Sequence, residues 1–258
     1  MARQFTKSSG MYLDADGSMA VINAWPVSFC IWYNADDISS NQNIMRLYES
    51  GDTSTFMVIQ VRSSGNVRFQ LSQTGESNIN DQTTSTISTG AWNMFGARIT
   101  SSELEIYLNG SGTGSPTSHS RSADSWDSVV VGATHAGATE ADGKLARCAV
   151  WTGELSDAEF DGLAGGCDPR LVQSGNLHFW WEGQEKSGAG RDWVGGITLT
   201  DHNSVGDAVH PGQLSQSYTP RVMTAPAAAA SGNFGIIGPG GLCGSESPLI
   251  GTDGVLIA

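Results

Sequence analysis

The chain has 258 residues, of which 15% are charged and 39% hydrophobic, and its formal net charge is −13 at pH 7. This length accommodates one large all-β domain with an appendage. The excess of carboxylates excludes nucleic-acid binding through a basic patch, because such a patch must replace the counterions of the phosphates.

The N-terminus and the hydropathy of the chain predict a protein with no secretory signal and no contact with a membrane. The opening residues, MARQFTKSS, lack the apolar stretch of a signal peptide. No apolar run approaches the roughly 20 residues that a membrane-spanning helix needs. We therefore expect synthesis in a cytoplasm; if the protein ends up outside a cell, it leaves by lysis or inside a particle.

Short apolar or alternating segments, separated by turn residues, predict an all-β sandwich over residues 1–212. Residues 104–108 alternate Leu, Glu, Ile, Tyr and Leu, which indicates a strand with one buried face, and a tight hairpin signal, Asn109-Gly110, follows. In chain order, the predicted strands are residues 27–34, 43–50, 55–63, 66–72, 91–100, 103–110, 128–134, 144–151, 177–183 and 195–200.

One short helix is predicted after the strand at residues 144–151. Ser156 and Glu159 have the spacing of a capping box, and Gly165 and Gly166 favour the end of the helix. Acidic residues in the first turn also favour the helix N-terminus. Helix capping therefore explains the carboxylates of this segment better than a catalytic role does.

Residues 213–258 have a different composition and predict an extended C-terminal arm. This segment holds four of the eight prolines, eight glycines and only three charged residues. It has no amphipathic period and too little bulk for a core of its own. We expect it to be ordered only where a partner or the sandwich holds it.

The order of these segments resembles the laminin-G-like, concanavalin-A-like jelly-roll superfamily over roughly residues 1–205. The resemblance is carried by VSFCIWYN, AWNMFGARIT, LEIYLNG and LHFWWEG, and above all by GKLARCAVWTGELSDAEFDGL, in which a strand leads into a capped helix. It implies a β-sandwich with one short helix. The fold serves lectins, adhesion domains, polysaccharide-cleaving enzymes and virion proteins, so it leaves the function open.

A second resemblance, carried by the acidic body and the Gly/Pro/Ala-rich arm, is to virion proteins of tailed bacteriophages. It implies a non-enzymatic structural protein of the virion, most simply a capsid decoration protein whose arm binds the major capsid protein or another virion protein. A homo-oligomer, with a trimer favoured, would strengthen this attachment. The expected anchors are the apolar residues of the arm: Phe234, Ile236, Ile237, Leu242, Pro248, Leu249, Ile250, Val255, Leu256 and Ile257.

The alternative function is a glycan-binding, lectin-like module for receptor binding or adhesion on a tail or fibre. It predicts exposed aromatic side chains at a rim of the sandwich, where they can stack on sugars of a host surface glycan. Trp126 and Trp193 lie in predicted loops and are the candidate contacts, with packing in the core as the competing explanation.

Calcium is common in the family that the chain resembles, which makes Asp14, Asp16, Asp36 and Asp37 candidate ligands in two loops. Turn formation is the competing explanation for these residues. The sequence predicts no other cofactor.

The sequence does not predict an enzyme. A glycosidase needs two carboxylates that flank the scissile bond, and Glu103 and Glu105 are better explained as a solvated strand face. The four cysteines, Cys30, Cys148, Cys167 and Cys243, lack zinc-site spacing and are expected to be buried free thiols. A disulfide between the first two remains an open alternative.

Overall fold

Two antiparallel sheets packed face to face form the body of the protein. The computed structural model describes residues 2–135, 137–185 and 188–209. The fold is the expected all-β sandwich with one short helix. The arm predicted for residues 213–258 lies outside the described residues, so the division of the chain into two domains stays a prediction.

The strands of the described residues are, in chain order, β1 (Ala2–Phe5), β2 (Tyr12–Ala15), β3 (Val27–Ala35), β4 (Gln42–Glu49), β5 (Asp52–Val61), β6 (Asn66–Ser72), β7 (Ile79–Thr86), β8 (Trp92–Ile99), β9 (Glu103–Leu108), β10 (Ser111–Gly112), β11 (Thr117–Ser118), β12 (Ser128–Val131), β13 (Gly143–Trp151), β14 (Leu177–Trp181), β15 (Gly190–Arg191), β16 (Thr198–His202) and β17 (Gly206–Ala208). Helix α1 spans Asp157–Ala164, and short 3-10 helices span Lys7–Ser9 and Pro169–Leu171.

Each sheet joins strands that are distant in sequence. Sheet A has the order β10-β9-β8-β3-β13-β1-β17, with β11 beside β9 and β14 beside β13. Sheet B has the order β15-β16-β2-β12-β4-β5-β6-β7. Loops from distant parts of the chain therefore meet at the two ends of the sandwich.

The main core lies between the sheets and follows from the alternation of side chains along each strand. In β3, Phe29 and Ile31 point into this core, whereas Cys30 and Trp32 point to the outer face of sheet A. Phe29 meets Phe69 of β6 across the gap, with ring centroids 5.2 Å apart. Burial of these apolar side chains is the main force that holds the sheets together.

Helix α1 covers part of the outer face of sheet A. Its predicted capping box is present: the Ser156 hydroxyl accepts from the Glu159 N–H, and the Glu159 carboxylate accepts from the Ser156 N–H. Phe160 stacks on Tyr107 of β9 with ring centroids 4.0 Å apart. Strand β9 is thus buried on both faces, and the expectation that Glu105 is solvated is wrong, because this side chain is only 6% exposed.

Helix α1 has eight residues, and no helix of the described residues is long and apolar enough to cross a bilayer.

Two of the cysteines match the expectation of buried free thiols. Cys30 and Cys148 are free and fully buried, and burial raises the pKa of the Cys30 thiol to about 12. Cys167 is disulfide-bonded, so the expectation of a free thiol is wrong at this position. Cys243 lies outside the described residues.

Candidate functional site

A polar groove opens at one end of the sandwich, between the β6–β7 connection and the β11–β12 connection. We call it the rim groove; its volume is about 600 Å³. Each of its side chains except Ile79 can hydrogen bond, so the groove suits a ligand rich in hydroxyl groups. The lining residues are Gln73, Thr74, Glu76, Ile79, Ser118, His119, Ser120, Arg121, Ser122 and Asp124.

Arg121 connects the two walls of the rim groove. Its Nη1 donates to Oε1 of Gln73 at 3.4 Å, and Nε2 of Gln73 donates to the Ser122 carbonyl at 3.1 Å. Its Nη2 donates to the Ser77 carbonyl and lies 3.7 Å from Oε2 of Glu76. These contacts fix the walls before a ligand arrives, which lowers the entropic cost of binding.

Aromatic side chains support the groove from below. The indole N–H of Trp25 donates to the Arg121 carbonyl at 3.0 Å, and its ring lies 5.1 Å from Trp126 and 6.1 Å from His119. Trp126 is 0% exposed, so its predicted role as a sugar contact is wrong. A backbone bridge to Ile22 draws this loop residue into the core.

Burial favours the neutral form of the His119 imidazole and so lowers its pKa. Its Nδ1 accepts from the Arg121 N–H at 3.1 Å, which leaves the ring hydrogen on Nε2. The groove wall at this position is therefore polar but uncharged at pH 7.

Trp193 is an exposed aromatic side chain on a well-held loop, as the sequence predicts. It is 50% exposed. The buried carboxylate of Asp192 accepts from the N–H groups of Trp180 at 2.8 Å, Val194 at 3.0 Å and Gly195 at 2.8 Å. These bonds fix the backbone on both sides of the indole.

Arg191 lies beside this indole. Its guanidinium carbon is 4.9 Å from the centroid of the Trp193 ring. A cation at this distance is attracted to the ring, and the exposed part of the indole remains open to the apolar face of a sugar.

The candidate calcium ligands are engaged separately with protein groups. Asp14 pairs with Nε2 of His202 at 2.9 Å, and Asp16 accepts from the Ser128 hydroxyl at 3.3 Å. Both side chains lie beside sheet B, on or just after β2.

The other two candidates lie after β3 and also have protein partners. Asp36 pairs with Nζ of Lys144 at 2.6 Å. Hydrogen bonds from the hydroxyl and the N–H of Ser39 lower the pKa of Asp37. Within the described ranges, no group of three or more His, Cys, Asp and Glu residues is placed to hold a metal.

The rim groove could not be identified from sequence, because its walls come from residues 73–79 and 118–124, two polar loops without a motif. Only the folded sheets bring these loops together. The predicted anchor residues of the arm, Phe234 to Ile257, lie outside the described residues.

Comparison with known proteins identifies a family. The family model described as Concanavalin A-like lectin/glucanases superfamily matches residues 7–160. No curated protein sequence matches the chain.

Solved structures share the fold at low identity. A Bacteroides ovatus protein assigned to carbohydrate binding has a TM-score of 0.59 at 17% identity, with 80% of this chain and 60% of that chain covered. The module CBM40 of the Ruminococcus gnavus IT-sialidase, solved with α2,3-sialyllactose, has a TM-score of 0.51 at 14% identity, with 64% and 96% covered. Domain 4 of the arabinanase AbnA from Geobacillus stearothermophilus, solved with arabinotriose, has a TM-score of 0.50 at 14% identity, with 63% and 76% covered.

Proposed function

Because this chain belongs to the Concanavalin A-like lectin/glucanases superfamily, we propose that it is a non-enzymatic carbohydrate-binding module. The observation that carries the proposal is the rim groove, an open groove of about 600 Å³ whose walls are joined by Arg121 and lined by hydrogen-bonding side chains. The solved structures that share its fold include modules with bound oligosaccharides. The ligand class we assign is a glycan of a cell surface.

The groove side chains suit the chemistry of a sugar. The carboxylates of Glu76 and Asp124 accept hydrogen bonds from hydroxyl groups, and Gln73 both donates and accepts. Trp193 is not among the groove residues, and it offers a separate exposed surface on which a pyranose ring can stack. Fold alone does not give this function, so the assignment rests on these side chains.

The proposal is tested by calorimetric titration of the full chain with the glycan that it binds best in a screen. We expect Asp124→Ala to weaken binding about tenfold, because it removes charge-assisted hydrogen bonds.

Trp193→Ala tests the stacking surface in the same titration. Leu171→Ala, which removes another exposed apolar side chain, is the control and should bind like the wild type. Unchanged affinity in the Asp124 variant would show that the rim groove does not bind the glycan.

A second proposal concerns where the module acts. The composition of residues 213–258 favours a virion protein whose arm attaches it to a major capsid protein or to neighbouring copies of itself. In that setting the module would sit on a phage particle and present its glycan site to the host.

Light scattering of the full chain and of a chain ending at Gly212, each with and without capsid particles, tests this placement. We expect only the full chain to oligomerise or bind particles. If the two proteins behave as the same monomer and neither binds particles, the virion assignment is wrong, while glycan binding can still hold.

A further inference from the structure

The outer face of sheet A carries two tryptophans that α1 leaves partly uncovered. Trp32 of β3 and Trp92 of β8 are both half-buried. In the register of these strands, Asn34 lies opposite Trp92, and Trp32 lies opposite Met94. The two indoles are therefore diagonal neighbours on one face, about 7–8 Å apart at their Cα atoms.

Asn34, between the tryptophans, has an unsatisfied acceptor. Its side chain is 7% exposed, and its Nδ2 donates to the Gly90 carbonyl at 3.3 Å. Its Oδ1 is buried and has no hydrogen-bond partner among the described residues. Buried polar atoms are seldom left without a partner, so this oxygen marks a place where a donor is missing.

Arg147 adds a cation to the same face, since it lies close enough to Cys30, an outer-face residue of β3, for its charge to act on that thiol. It follows Ala146, which lies opposite Trp32, and it sits in a bulge of β13. Its backbone is left-handed, with φ of 53°, and the residue is only 8% exposed. A strained, non-glycine backbone of this kind is held only where the surrounding structure fixes it, and such positions are frequent at ligand sites.

Within the part of the chain that the structure describes, the guanidinium of Arg147 has no direct partner. Among the described residues its side chain makes no hydrogen bond or ion pair. Asp168 lies close enough to feel its charge, but that carboxylate is held by Nε of Arg170 at 3.0 Å. Among the described residues, none of the Arg147 nitrogens belongs to the buried polar atoms that lack a partner, so the guanidinium reaches the surface, where an anion from outside can pair with it.

We propose that Trp32, Asn34, Trp92 and Arg147 form a second glycan site, the outer-face site, which binds a pyranose that carries a carboxylate. The sugar carboxylate pairs with the guanidinium of Arg147 in a forked geometry. The apolar face of the ring stacks on an indole, and a ring hydroxyl donates to Oδ1 of Asn34. This inference extends the proposed carbohydrate-binding function, and it uses no residue of the rim groove.

The two sites lie at opposite ends of sheet A. Trp92 begins β8, whereas the groove lies beside Ser118, which pairs with Glu103 beyond the other end of that strand. Substitutions can therefore test each site alone.

The test is a calorimetric titration of the full chain with tri-galacturonate and, as the matched neutral ligand, its methyl ester. We expect the acid to bind at least tenfold more tightly than the ester. Arg147→Met should remove this preference, and Trp32→Ala should weaken binding of both ligands. Arg62→Gln, on the sheet B side of the molecule, is the charge-matched control and should leave both affinities unchanged.

Thermal unfolding of Arg147→Met separates a binding role from a structural one. If the guanidinium serves a ligand and not the fold, its removal leaves the melting temperature unchanged or raises it, because no hydrogen bond or ion pair among the described residues is lost. A clear drop in the melting temperature would assign Arg147 to the fold and overturn the proposal.

Three binding results would also overturn it: no binding of tri-galacturonate at 10 mM, equal binding of acid and ester, or unchanged binding in Arg147→Met. If glycan binding is instead lost only in Asp124→Ala, the outer-face site is wrong and the rim groove stands. If no glycan binds the wild type at all, both proposals fail.

Discussion

At the scale of single residues, Glu105 shows how tertiary packing overrides a strand pattern. Its carboxylate is 2.8 Å from Nη2 of Arg98 and 2.8 Å from the Tyr107 hydroxyl, and Oε1 accepts from the Gly114 N–H at 3.3 Å. Burial, followed by the carboxylates of Asp157 and Glu105, raises the pKa of Tyr107. This network stabilises the contact between α1 and β9.

We predict that Glu105→Ala lowers the free energy of unfolding by about 2 kcal/mol, because it leaves the partly buried Arg98 without its closest counter-charge. Denaturant unfolding followed by tryptophan fluorescence measures the change. The matched control is Glu103→Ala, two residues away on the same strand, where the side chain is exposed and the expected change is small. Equal effects of the two substitutions would contradict the buried-network interpretation.

His119 gives the protein a predictable response to acid. Its pKa is lowered by burial, so it is lower in the folded chain than in the unfolded chain, where it is about 6.5. Above that pH both states hold a neutral ring and the residue contributes nothing. As the pH falls below about 6.5, the unfolded chain gains a proton first, and the stability decreases until the folded ring is protonated as well.

Melting temperatures of the wild type and of His119→Gln between pH 7.5 and pH 5 measure this contribution. We expect the melting temperature of the wild type to decrease more than that of the variant as the pH falls. A difference that does not depend on pH would show that His119 has the same proton affinity in both states.

At the scale of elements, the seating of α1 on sheet A depends on a glycine in β8. A Cβ atom at Gly96 would lie 2.6 Å from Cδ1 of Phe160 and 3.2 Å from Cβ of Tyr107. The absence of a side chain therefore lets the helix lie close to the sheet and lets Phe160 stack on Tyr107.

Gly96→Ala should lower the free energy of unfolding by about 1–3 kcal/mol, since the added methyl group overpacks this contact. Gly175→Ala is the control, because nothing lies within 4 Å of a Cβ atom there and its φ is not positive. Urea unfolding measures the free energy of unfolding of both variants. A stable Gly96 variant would mean that α1 can shift away from the sheet at little cost.

The sequence was informative for elements whose signal is local. Strand β6 has the predicted bounds, and the capping box of Ser156 and Glu159 marks α1 correctly. Strands β1, β2 and β17 were not predicted, because each has only three or four residues and pairs with a distant segment. Strand β7 is polar and exposed over most of its length, so it has no hydrophobic pattern to detect.

At the scale of the whole molecule, the candidate site could be predicted only in part. The exposure of Trp193 was predicted correctly because a tryptophan in a polar loop has few reasons to be buried. The same argument failed for Trp126, which an isolated backbone bridge to the distant Ile22 draws into the core. The rim groove and the outer-face site both require strand order and register, which local patterns do not contain.

The acidic body sets a further expectation for the whole molecule. A net charge of −13 repels an acidic glycan at long range. Binding at the outer-face site must therefore depend on the short-range contact with Arg147. Raising the salt concentration should therefore screen the repulsion and leave the affinity for tri-galacturonate unchanged or stronger. Affinity that falls steeply with salt would contradict this account.

A glycan array probed with the labelled full chain, and with the Asp124→Ala and Trp193→Ala variants beside it, tests whether the protein recognises glycans. We expect reproducible binding of the wild type to a limited set of oligosaccharides and weaker signals from the Asp124 variant. If the wild type, shown to be folded by its melting transition, binds no glycan on the array and none in solution at millimolar concentration, carbohydrate binding is wrong.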